Sequence, residues 1–127
     1  MKTITVLLHY KGHGEAARHF AEEMEASGTA EQIRTEEGNL RYEYFFPMND
    51  PESVLLVDSW RDQAAIDVHH ASPMMAKILE LREKYGLTVT AERYVRDEMP
   101  ESDAGFVSND MRNEYDFVES LKNPYMK

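Results

Sequence analysis

The 127-residue sequence has no cysteine and a single tryptophan. Without a thiol it has no disulfide framework, no thiolate nucleophile and no cysteine-ligated metal, and such a composition suits a reducing compartment, with the cytoplasm as the expected one. Basic side chains are also scarce. Fourteen Lys and Arg stand against 24 Asp and Glu, a formal charge of -10, so a polyanion would approach against long-range repulsion and nucleic acid is not an expected partner. Long apolar runs are missing too. MKTITVLLHY carries one lysine and an apolar stretch that stops at His9, too short for a secretory signal or a membrane span, and no membrane association is expected. With 42% apolar residues the chain can bury one core but not two.

What is present divides at its punctuation. Thr3 to Tyr10 is β-branched and aliphatic and reads as a strand closed by Gly12 and Gly14. In GEAARHFAEEMEASG, Ala17, Phe20, Ala21 and Met24 recur at helical spacing before Gly28. Thr29 with Gln32 predicts a capping box for a short helix, TAEQIRTEE, ending at Gly38. NLRYEYFF and SVLLVDSW, separated by a turn around Pro51, predict an antiparallel hairpin. RDQAAIDVHHA reads as a helix. Ser72 as N-cap with Pro73 after it predicts another through KILELREKY to Gly86, and LTVTAERYV is the last strand.

The order is β-α-β-β-α-β, so the expected class is α+β: a ferredoxin-like βαββαβ fold with an antiparallel four-stranded sheet over residues 1–95. ITVLL and SVLLV are apolar on both alternating faces. A face without helices would therefore be covered best by the same face of a second copy, giving a homodimer of the dimeric α/β-barrel kind. Residues 96–127 form an extension. MPESDAG reads as a flexible linker, and Ser108 followed by Met111, Tyr115, Val118 and Leu121 predicts a short helix.

Several patterns bear on chemistry. GHGEAA fits a G-x-G-x-x-A dinucleotide pattern, but Glu15 would repel a pyrophosphate at that helix start and no succession of βαβ units follows, so these are turn glycines. His19 with Glu22 or Glu23 has helical spacing, yet no cluster of three or four metal ligands is apparent, and no metal is expected. Residues two apart on a strand share a face, which puts Asp58 beside Trp60 among apolar neighbours. A carboxyl there needs a partner, such as Arg93, or has its pKa raised. His69 and His70 lie about 100° apart around a helix, so only one can face a pocket. In NLRYEYFF, Tyr42 and Tyr44 share one face with Phe46, and we expect this face to meet the helices.

ITVLLHY, EEGNLRYEYF, and VLLVDSW followed nine residues after its tryptophan by the histidine of AAIDVHHASP together resemble the antibiotic biosynthesis monooxygenase domain family over residues 3 to 95. The resemblance implies a dimeric ferredoxin-like fold with a pocket between sheet and helices in each subunit. It also implies oxidation of quinols or aromatic polyketides by dioxygen without a bound cofactor, although relatives degrade haem or process a small phosphorylated signal. The family histidine aligns with His69, giving a catalytic set of His69, Trp60 and Asp58 with Tyr42 and Tyr44 as substrate-binding walls. His9 stands near the place where haem-degrading relatives carry an asparagine. It joins the substrate-binding candidates, and the missing asparagine argues against haem. The expected activity is therefore monooxygenation of a small phenolic or quinol-type compound. The alternatives are a non-catalytic small-molecule-binding or stress-associated dimer, and an isomerase of a small phosphorylated carbonyl compound. The isomerase would need a cation in the pocket from Arg41, Arg61 or Arg93.

Overall fold

The computed structural model describes residues 2–108. Four strands, β1 (Ile4–Lys11), β2 (Asn39–Phe45), β3 (Ser53–Trp60) and β4 (Thr88–Val95), pair antiparallel in the order β2-β3-β1-β4. The connection from β1 to β2 carries α1 (Ala16–Ala26) and α2 (Thr29–Arg34). That from β3 to β4 carries α3 (Gln63–His70) and α4 (Met74–Lys84). This is the α+β ferredoxin-like arrangement, with each crossover helix split in two.

The helices pack on one sheet face. On β1 and β3 the alternate residues Ile4, Tyr10, Val54, Leu56 and Trp60 point inward and are buried against Phe20, Met24, Ile33, Ile78 and Leu81. The intervening side chains, Leu7, Leu55 and Val57 among them, point to the other face and are half-buried. α1 is amphipathic as its spacing predicts, with Ala17, Phe20, Ala21 and Met24 all buried.

Helix termini depart from the sequence expectations in two places. The N-cap of α2 is Gly28 at φ 82°, not Thr29. The Thr29 hydroxyl pairs with that of Ser27 at 2.8 Å, so no capping box forms. The N-cap of α4 is Pro73, and the Ser72 hydroxyl is buried without a hydrogen-bond partner among the described residues. α3 does have a side-chain cap, Asp62 accepting from the Ala65 amide at 2.9 Å.

Two features hold β2 in place. Gly38, at φ 90°, lies so close to α3 that a Cβ there would come within 2.5 Å of the Ala65 Cβ, and its carbonyl accepts from the Arg61 amide at 2.8 Å. β2 is an edge strand, and the Tyr42 carbonyl accepts from Arg34 Nε at 2.8 Å.

Contacts divide the chain between Arg96 and Asp97. In the second unit, a 3-10 helix, Glu101–Phe106, overlaps the stretch read as a linker. The helix expected from Ser108, through Met111, Tyr115, Val118 and Leu121, lies outside the described residues. Among those residues no helix is long and apolar enough to cross a membrane.

Candidate functional site

A cavity of about 150 Å³ opens between the inner sheet face and the second helix pair. Its walls are largely apolar, with Leu8, Leu56, Met75, Ile78, Leu79 and Val89 contributing. The polar groups on them are Tyr10 of β1, Tyr42 of β2, Asp58 of β3, His69 and His70 of α3, and Arg82 of α4. Few convergent polar groups in an apolar hollow are what a small-molecule site requires.

The passage from β3 into α3 builds a connected polar unit at one end of this cavity. Asp58 and Trp60, two residues apart on β3, point the same way, and the Trp60 indole Nε1 donates to Asp58 Oδ1 at 2.7 Å. The His69 ring stacks on Trp60, centroids 4.7 Å apart and planes at 28°. His69 Nδ1 lies 2.7 Å from Glu36 Oε2, with both side chains nearly covered. A carboxylate only accepts, so the proton of a neutral His69 sits on Nδ1, and Nε2 keeps its lone pair on a ring that lines the cavity.

Burial sets the proton affinities. Desolvation pushes the Asp58 carboxyl from its ordinary 3.8 up to about 7, the Trp60 hydrogen bond opposing this and the Glu36 charge adding to it. Desolvation also lowers the His69 pKa, against the pull of Glu36 and with a further push from His70. Burial raises the Tyr10 hydroxyl to about 12 and pushes Tyr42 higher still, so both remain O–H donors.

Of the residues singled out in the sequence, the cavity brings together His69, Asp58 and Tyr42, while Trp60 backs His69 from behind the wall. His70 is exposed at the rim while His69 is 4% exposed. Tyr44 faces the helices and contacts Tyr42 edge-on, but it lines a separate groove with Ala21 and Phe45. His9 is on the opposite sheet face, 3.9 Å from Glu92, one residue away from the inward-facing Tyr10. Arg93 bonds Gln63 and not Asp58, Arg41 pairs with Glu43, and Arg61 with Glu37 and Asp62; none of the three lines the cavity. Sequence reasoning misses Glu36, Tyr10 and Arg82. Tyr10 is within its reach, since it directly follows His9 in a strand; Glu36 is 33 residues from His69 and Arg82 reads as ordinary helix surface, so neither gives a signal.

The family model described as antibiotic biosynthesis monooxygenase matches residues 3–81. The chain belongs to this family. Solved structures similar to this family member include a candidate antibiotic biosynthesis monooxygenase of Deinococcus radiodurans, at 19% identity and TM-score 0.66, covering 77% of this chain and 96% of that one. PA3566 of Pseudomonas aeruginosa matches at 20% identity and TM-score 0.66, covering 77% and 97%. A variant of SnoaB, a cofactor-independent oxygenase of Streptomyces nogalater, matches at 16% identity and TM-score 0.61, covering 80% and 99%. No curated protein matches the chain. Every polar group on the cavity wall except Arg82 falls within the span of the antibiotic biosynthesis monooxygenase match.

Proposed function

We propose that this member of the family is a cofactor-independent monooxygenase that oxidises a small phenolic or quinol-type compound with dioxygen. The observation that carries the reading is an imidazole, fixed through Nδ1 by Glu36, on the wall of an apolar cavity. His69 Nε2 takes the proton of a substrate hydroxyl. The resulting phenolate is electron-rich enough to pass electrons to dioxygen itself, and the Tyr10 and Tyr42 hydroxyls are placed to donate to charge developing on oxygen. For a hydroquinone the balance is one quinol and one O2 giving one hydroxyquinone and one water. The substrate supplies all four electrons, one oxygen atom enters the ring and the other leaves as water. Asp58, near 7, can hold or release a proton during this sequence.

The protein works in the cytoplasm as a homodimer through its outer sheet face. Support for the dimer comes from Leu7, Leu55 and Val57, half-buried in the single chain, flanked by Phe45 and Tyr94 with 37% and 54% of their surfaces exposed. Arg82 supplies the pocket cation that an isomerase of a phosphorylated carbonyl compound would need, which keeps that second reading open to test. Oxygen uptake with a panel of hydroquinones separates them. We expect turnover by the wild type and a loss of roughly 10²-fold or more in His69→Ala. Uptake unchanged in that variant removes His69 as the base; binding without uptake favours a non-catalytic module.

A further inference from the structure

Arg82 is half-buried on α4, lines the cavity, and has no hydrogen-bond or ion-pair acceptor for its guanidinium among the described residues. It also lines a surface depression with Leu79 and Glu83, which places it where the cavity meets solvent. Its charge is felt by Tyr10 inside the cavity, and His70, exposed, stands on the same rim. Arg34, Arg41, Arg61 and Arg93, by contrast, are engaged with protein groups. We propose that the cavity takes a single aromatic ring bearing one anionic substituent, with Arg82 holding the anion at the mouth while a ring hydroxyl faces His69.

The size of the cavity limits the ring count. An apolar cavity of ~150 Å³ is filled by one benzene, so the volume of about 150 Å³ suits one ring with its substituents directed at the mouth better than a fused system. Charge then selects among single rings. A guanidinium presents a planar fork that a carboxylate or phosphate fills with two parallel hydrogen bonds. On a chain of net charge -10, an anion enters only where a local cation offsets the field. Asp58 is the one carboxyl on the cavity wall among the described residues. Because it keeps its proton up to about 7, it opposes an anion less than an ionised group would.

The hydroxyl's placement at His69 rests on the oxygenase reading; the anion's at Arg82 does not. Calorimetry on the full chain with 2,5-dihydroxybenzoate, its methyl ester, 4-hydroxyphenyl phosphate and 1,4-dihydroxy-2-naphthoate tests it. We expect the wild type to bind an anionic single ring about tenfold or more tighter than the ester. Arg82→Gln should abolish the preference while leaving the ester's affinity unchanged, and Arg82→Lys should restore part of it. Preference for the phosphate over the carboxylate assigns the anion to a phosphate ester. Equal binding of acid and ester by the wild type, a preference that survives Arg82→Gln, or naphthoate binding as tight as the single ring overturns the proposal. Oxygen uptake in the same solutions separates the two readings. Arg82-dependent binding without uptake leaves the anion site and removes the oxygenase; His69-dependent uptake of neutral hydroquinone with no Arg82-dependent preference does the reverse.

Discussion

Asp58 keeps its proton in the folded chain up to about 7, whereas the unfolded chain releases it near 3.8. Between these values the fold binds more protons than the unfolded state, so this contribution to stability is full below about pH 4 and lost as pH rises through 7. Asp58→Asn keeps an oxygen for the Trp60 indole and removes the titration. We expect the variant to gain ~2–4 kcal/mol on the wild type between pH 5 and pH 8, measured by urea unfolding at both; a constant difference refutes it. His69 acts with the opposite sign: its lowered pKa gives stability that is lost as pH falls through that value. Strand alternation makes the Asp58 and Trp60 pair legible in the sequence. It does not fix which parity of β1 faces inward, because ITVLL is apolar on both faces, and so the sequence points to His9 where Tyr10 stands.

At the scale of elements, Gly38 is the hinge of the site. Its positive φ turns the chain from α2 into β2, and its missing side chain lets that turn lie against Ala65, bringing Glu36 within reach of His69. Gly28 has a similar φ, but a methyl added there would meet nothing within 4 Å, so the two positions separate strain from crowding. We expect Gly28→Ala to cost about 1 kcal/mol and Gly38→Ala about 2–4 kcal/mol, read as the shift in urea midpoint. Equal costs would sink the role of close approach. Strands and helices are legible in the sequence through residue 95, because apolar periodicity and glycine punctuation are local. Helix caps are less so: a hydroxyl at the right spacing bonds elsewhere when a glycine offers the left-handed conformation first, as at Gly28.

For the whole molecule, the outer sheet face decides the assembly. Val57 lies opposite Glu43 on one side and Leu7 on the other, at the centre of that face. We expect the wild type to sediment as a dimer and Val57→Glu, which would set like charges together in both copies, as a monomer with its fold retained by circular dichroism. A monomeric wild type removes the dimer.

The stacking of the only indole in the chain on the only buried imidazole among the described residues has an optical consequence. All tryptophan emission originates directly behind the wall of the site. Protonation of His69, withdrawal of Glu36 or arrival of a guest would each change the intensity of that one fluorophore, giving a label-free signal from the site itself.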